Sequence, residues 1–210
     1  MNAPYEIVDR DRMHRLRRYS RPDGARGPSS PLVLVPPLML TAEVYDMAPD
    51  VSCVIPLAAA GVDTWVVDFG APETEQGGME RTLDDHVRTV AKAVQTVRRI
   101  TGRDVHLGGY SQGGMFAYQA AAYLRSEGLA SVLAWGSPVD VHRNLPIPDD
   151  SATAAIIRGA KAGLDPLLRK IEGLPGVLTS TGFKLLTPRK EVEQLIDMVR
   201  SLGKALHITA

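Results

Sequence analysis

Short apolar runs alternate with amphipathic stretches through the middle of this chain. "PLVLVPP" (31–37), "DTWVVDFG" (63–70), "DVHLGGY" (104–110) and "ASVLAWGSP" (130–138) are apolar, rich in β-branched residues and bounded by Gly and Pro. Such runs suit strands buried on both faces of a parallel sheet. Between the second and third, "LDDHVRTVAKAVQTVRRITG" sets Leu83, Val87, Val90, Val94 and Val97 on one helical stripe. Thr82 can cap its start, Asp84 and Asp85 suit its first turn, Arg98 and Arg99 its last, and Gly102 its end. Residues 42–60 read as an irregular helix broken by Pro49 and Pro56, and 112–127 as the next helix. Strands alternating with helices predict βαβ units with right-handed crossovers. The fold class is therefore α/β: a mostly parallel, doubly wound sheet with helices on both faces.

The two ends read differently. The start is polar and extended, and Arg10, Arg12, Arg15, Arg17, Arg18, Arg21 and Arg26 crowd it before the turn-forming "RPDGARGPSS". A solvated strand edge or hairpin is one reading, and a binding role for phosphate or acidic groups the other. From about residue 140 no further β-branched strand is visible. A helix-like stretch at 151–173 is followed by the Gly- and Pro-broken "GLPGVLTSTGFKLLTP" and a final helix. Thr187 caps that helix, Pro188 takes its first position, and Val192, Leu195, Ile196, Val199 and Leu202 make its apolar stripe. This divides the chain into a core at 1–140 and a helical lid or cap at 141–210.

Composition narrows the function classes. With 210 residues and 44% hydrophobic content the chain can bury one sizeable core. Lys plus Arg and Asp plus Glu both number 24, which argues against nucleic acid or anionic membrane as a partner. Cys53 is the single cysteine, so no intrachain disulfide or thiolate cluster forms, and the histidines lack metal-ligand spacing. No metal is expected. The first twenty residues lack an apolar h-region, and the longest apolar run, "PLVLVPPLML", is too short to span a bilayer. A cytoplasmic protein without a transmembrane segment is the expectation.

The chemistry concentrates at "HLGGYSQGGMFAYQAAAY" (106–123). Gly109-Tyr110-Ser111-Gln112-Gly113 is G-x-S-x-G, set between a predicted strand and a predicted helix. That is the context of a nucleophile elbow, a sharp turn that thrusts a side chain out at the carboxyl end of a sheet. Gly109 and Gly113 leave room for the tight turn, and Gly114 lets the helix approach the strand. Ser111 is then the nucleophile, with the backbone N–H of Gln112 aimed at the oxyanion. A second donor should come from "VPPLML"; Pro36 and Pro37 have no N–H, so Leu38 or Met39 supplies it, and Leu38 is the choice. A Gly-rich βα turn with an ordinary serine, or a nucleotide-type loop, is the alternative, although neither a Walker lysine nor G-x-G-x-x-G spacing is present.

Three segments in register carry a resemblance: "LVLVPPLMLTAEVYDMAPDVSCVIPLAAAGVDTWVVDFGAPE", "RTLDDHV" and "GGYSQGGMFAYQAAAY". From about residue 30 to 140 the chain resembles the catalytic domain of polyhydroxyalkanoate synthases. It is also similar to synthase-like modules found next to acyl-CoA synthetases. The resemblance implies an α/β-hydrolase fold with a helical lid after the sixth core strand, and acyl transfer from coenzyme A thioesters of hydroxy acids. Two departures stand out. Synthases carry cysteine in the elbow where this chain has Ser111, and Cys53 lies in a helix-like region away from it. The family's acid and histidine follow two later core strands beyond the lid, and no such strand is visible after residue 140. The sheet is therefore expected to be incomplete, with an exposed apolar edge that favours self-association or a fused downstream domain.

Substitutes for the missing partners are few. Asp140, just past the fourth run, is a reserve acid or the cap of the following turn. Asp68 reads as a surface or turn carboxylate, His106 as a satisfied core histidine, and His86 as solvent-facing. His142 and His207 are the candidate bases, without the post-strand setting that would hold an imidazole against Ser111. The expectation is serine-dependent acyl transfer or hydrolysis of a small acyl thioester or ester. The alternative is a non-catalytic or truncated module of a larger acyl-CoA synthetase-type protein of lipid metabolism. No prosthetic group is expected; coenzyme A would enter as part of the substrate.

Overall fold

The apolar runs form the middle of a six-stranded sheet. The computed structural model describes residues 3–20, 30–38, 40–72, 75, 77–140, 155 and 159. The chain divides into two compact units, Met1–Pro146 and Ile147–Ala210, and the architecture below is that of the first. Its strands are β1 (Tyr5–Arg10), β2 (Arg15–Tyr19), β3 (Pro31–Val35), β4 (Asp46–Ala48), β5 (Val51–Ser52), β6 (Asp63–Asp68), β7 (Val105–Tyr110) and β8 (Leu129–Trp135). Its helices are α1 (Val54–Ala59), α2 (Leu83–Thr101) and α3 (Gln112–Tyr123). The sheet order is β1-β2-β6-β3-β7-β8, parallel from β6 to β8 and antiparallel at β1 and β2.

Alternation along the strands explains why both faces are covered. Val33, Val35, Trp65, Val67 and Leu107 pack with Val90, Val94, Val97 and Phe116 of α2 and α3. Leu34 and Val66, one residue out of phase, pack with Tyr45 and with Val54 of α1. The sheet is doubly wound, as the run pattern predicts.

Helix α2 is specified locally. Thr82 Oγ1 accepts from the Asp85 N–H at 3.2 Å, and Asp85 Oδ2 accepts from the Thr82 N–H at 2.8 Å. Gly102, at φ 68, closes the other end in the left-handed region. Two expectations for this helix are corrected. Its burial begins only at His86 and Val87, so Leu83 precedes the buried face and stays 56% exposed. His86 is buried, not solvent-facing: its ring stacks on Phe116 with centroids 5.5 Å apart, and its Nδ1 lies 2.6 Å from the Thr82 carbonyl oxygen. The preceding helical turn thus satisfies the imidazole and lets its apolar face join the core.

The stretch 42–60 is not one helix. A single 3₁₀ turn (Ala42–Tyr45) leads into the β4–β5 hairpin, and only Val54–Ala59 is α-helical. Pro49 sits in the turn between β4 and β5, and Pro56 lies in the first turn of α1, where an N–H has no helical acceptor.

The expected amino-terminal hairpin is present as β1 and β2, with Arg10 and Arg12 exposed, but the arginines of β2 itself are not solvated. β2 lies between β1 and β6, and its arginines meet carboxylates on other elements. Arg18 donates to Asp63 through Nε and Nη2, both at 2.9 Å. Arg17 Nη2 donates to Asp68 at 2.6 Å and to Glu43 at 2.7 Å, and Arg15 Nη2 to Glu75 at 2.7 Å. Asp68 is accordingly a buried structural partner and not a surface carboxylate. Charges facing inward here are matched by opposite charges. Among the described residues β8 has β7 as its neighbour, and Val132, Leu133 and Trp135 are each about 40% exposed along it. No helix among them is long and apolar enough to cross a membrane. Apart from Ala155 and Gly159, the lid stretch and the final helix fall outside the described residues, as do His142 and His207.

Candidate active site

The turn from β7 into α3 is made by Ser111, whose backbone sits at φ 53, ψ −122. A residue with a Cβ holds such a conformation at a cost of about 1–3 kcal/mol, so its surroundings must enforce it. They do so from both sides. The Ser111 N–H donates to the Trp135 carbonyl at 3.0 Å, which ties the turn to the end of β8, and the Ser111 carbonyl accepts from the Gly114 N–H at 3.1 Å. A Cβ on Gly109 would overlap the Gly113 carbonyl carbon, and one on Gly113 would run into the carbonyl oxygen of Val35. The glycines therefore let α3 lie directly on the ends of β7 and β3, with Ser111 at the apex.

Tyr45, which sequence reasoning passed over, secures the same junction. Its buried hydroxyl donates to the Val35 carbonyl at 2.7 Å and accepts from the Tyr110 N–H at 3.2 Å. Val35 and Gly109 are the last paired residues of the β3–β7 ladder, so Tyr45 serves the backbone groups where that ladder ends. Burial pushes the phenol well above its ordinary range, with the Tyr110 N–H opposing, and the group stays a neutral hydroxyl able to donate and accept at once.

The two residues chosen as oxyanion donors lie together, though through an unforeseen contact. Gln112 opens α3 and Leu38 follows β3; the Leu38 N–H donates to Gln112 Oε1 at 3.1 Å. No sequence pattern marks that pairing. Asp140 lies exposed, past the turn at Gly136 that ends β8. The described histidines have other partners. His14 Nδ1 lies 2.9 Å from Asp11, His86 contacts Thr82, and His106, half-buried, has its Nδ1 2.7 Å from Ser131 Oγ. Among the described residues no cluster of His, Cys, Asp or Glu could hold a metal ion.

On the α1 face of the sheet an apolar cavity of about 690 Å³ is lined by Leu34, Tyr45, Cys53, Tyr110, Leu133 and Trp135, among others. Cys53, set apart from the elbow in the sequence reading, shares this cavity with the residue that precedes Ser111. Burial pushes its thiol up, which works against a thiolate there.

Comparison with known proteins identifies the family. The chain matches the family described as "Alpha/beta hydrolase family" over residues 32–203. It is 30% identical over 176 residues to the poly(3-hydroxyalkanoate) polymerase subunit PhaC of Allochromatium vinosum, covering 82% of this chain and 47% of that protein. To the subunit of the same name from Haloferax mediterranei it is 31% identical over 122 residues, covering 57% of this chain and 24% of the relative. The chain thus spans about half the length of the Allochromatium relative. Among solved structures, the thioesterase domain from the curacin biosynthetic pathway shares the fold, with a TM-score of 0.50 and 15% identity over 76% of this chain and 52% of that one. With a mostly parallel doubly wound sheet and a strained serine between strand and helix, the chain belongs to the alpha/beta hydrolase family and resembles the poly(3-hydroxyalkanoate) polymerases within it.

Proposed function

We propose that this chain is a serine-dependent acyl hydrolase or acyltransferase domain acting on a small acyl thioester or ester. Ser111 Oγ bonds to the acyl carbonyl carbon and gives up its proton to a general base. The carbonyl electron pair moves onto oxygen, where the N–H groups of Gln112 and Leu38 receive it. Collapse of the tetrahedral adduct expels the thiolate or alkoxide, which takes up a proton, and leaves the acyl group on Ser111 for transfer to water or a hydroxyl acceptor. His142 and His207 are this chain's candidate bases and Asp140 the reserve acid. Similarity to poly(3-hydroxyalkanoate) polymerase subunits supports hydroxyacyl thioesters, with coenzyme A as the leaving group, as the substrate class.

One observation carries the proposal: the φ 53, ψ −122 backbone of Ser111, held where β7 meets α3. Strain of this kind in a non-glycine residue recurs at active sites. The experiment is labelling with a fluorophosphonate, followed by peptide mass mapping. Modification at Ser111 that vanishes in Ser111→Ala is the expected result. A folded protein that stays unlabelled, or is labelled equally in the variant, overturns the reading.

A further inference from the structure

We infer that the Gln112 carboxamide occupies the oxyanion position of its own site and competes with the reacting oxygen for the Leu38 N–H. The inference rests on the proposed function, which makes the Leu38 N–H an oxyanion donor. That N–H points at Gln112 Oε1 from 3.1 Å, an ordinary hydrogen-bond length for an amide donor. The acceptor is a neutral carbonyl oxygen, the same chemical group as the substrate oxygen that the donor would have to meet. One N–H carries one hydrogen, so the two oxygens compete for it. Pro36 and Pro37 offer no replacement donor on this loop.

The position of Gln112 makes the competition direct. It is the residue after the nucleophile, its own N–H is the other proposed donor, and its side chain reaches back across the elbow to the loop after β3. The contact is exposed, so water can take over both partners when the side chain swings away. A ground-state carbonyl competes with the carboxamide on nearly even terms. An oxygen gaining negative charge is the stronger acceptor and displaces it. The carboxamide plug thus weakens ground-state binding at that donor and yields as the transition state develops.

The test uses the 210-residue chain with Gln112→Ala and Gln112→Glu, both retaining the backbone N–H at position 112. The first readout is the second-order rate of labelling by a fluorophosphonate, whose phosphoryl oxygen needs the same donors. Removing the plug in Gln112→Ala should raise the rate about 2- to 10-fold, the range for one modest hydrogen bond. In Gln112→Glu the carboxylate binds the donor more firmly. Labelling relative to wild type should fall above about pH 4.3 and recover below it as the glutamate protonates. An equal or slower rate in Gln112→Ala overturns the inference. The second readout is hydrogen exchange at the Leu38 amide, which should quicken in Gln112→Ala; unchanged exchange also overturns it. If wild type is not labelled at Ser111 at all, the proposed function fails and the plug with it, whereas a labelled wild type that Gln112→Ala does not accelerate overturns the plug alone.

Discussion

The hydroxyl of Tyr45 accepts the backbone N–H of Tyr110 at 3.2 Å, one residue before the strained Ser111. Its second hydrogen bond, to the Val35 carbonyl, fixes the position of β3 relative to β7 where their ladder ends. Tyr45→Phe keeps the ring in its buried place but strands an N–H and a carbonyl. The expected loss is about 1–3 kcal/mol of unfolding free energy in urea titration, since unmade buried hydrogen bonds carry that penalty. Labelling of Ser111 should slow as well, because the elbow loses a strut on its strand side.

Gly113→Ala tests the close approach of α3 to the sheet. The added Cβ meets the carbonyl of Val35, a backbone group with no rotamer to change. Either the helix lifts off β3 or the turn at Ser111 relaxes. A loss of about 3 kcal/mol or more is expected, in the range of overpacking and backbone strain. Thermal melting checks the loss, and an unchanged melting temperature would show that the helix has room to spare.

The pairing of Arg18 with Asp63 yields a two-sided prediction. Both side chains are nearly enclosed, at 11% and 4% exposure. Asp63→Ala leaves a buried guanidinium unmatched and should cost about 3–5 kcal/mol. Replacing both residues, as Arg18→Met with Asp63→Leu, should recover most of that loss, because the pair's attraction is largely offset by its desolvation. Urea denaturation of the single and double variants measures the difference.

These cases mark what could be read from the chain and what could not. The cap at Thr82, the stop at Gly102 and the glycines around Ser111 are local devices, and local spacing identifies them. The Arg-rich start suggests an edge or hairpin, and the β1–β2 hairpin is there, but the ion pairing of the β2 arginines is not visible in the sequence. Here the order β1-β2-β6 puts them beside carboxylates about 50 residues away along the chain, a partner choice that periodicity does not encode. His86 was misjudged for the same reason: its neighbours in sequence are charged, while Phe69 and Phe116 reach it only through the fold. The Gln112–Leu38 contact spans 74 positions and has no motif.

Buried His86 sets a pH dependence. Burial, the largest influence, lowers its pKa below the ordinary 6.5; the Arg81 charge acts the same way, and the hydrogen bond to Thr82 opposes. The unfolded chain therefore takes up this proton first as pH falls. The neutral ring's contribution is fully present above about pH 6.5 and is lost progressively below it, toward the folded pKa. In His86→Phe that titration is absent. The stability difference between wild type and variant should shift against wild type from pH 7.5 to pH 5, as urea midpoints will record; a constant difference would contradict the assignment.

Among the described residues β8 is the last strand of the sheet, and its exposure predicts association. Val132, Leu133 and Trp135 are exposed on a strand whose described partner is β7. Such an edge pairs readily with another chain. Sedimentation velocity should show concentration-dependent assembly of the isolated chain, and Leu133→Lys should weaken it.

The inward charges of β2 bear on where a recombinant version of this domain can begin. Trimming the Arg-rich start looks harmless, since nothing in it belongs to the elbow. Yet removing β1 and β2 would make β6 the edge of the sheet, leave its outer backbone groups unpaired and strip Asp63 and Asp68 of their guanidinium partners. An expression boundary set after residue 20 should give insoluble protein, while one that keeps β1 and β2 retains the ionic clasp.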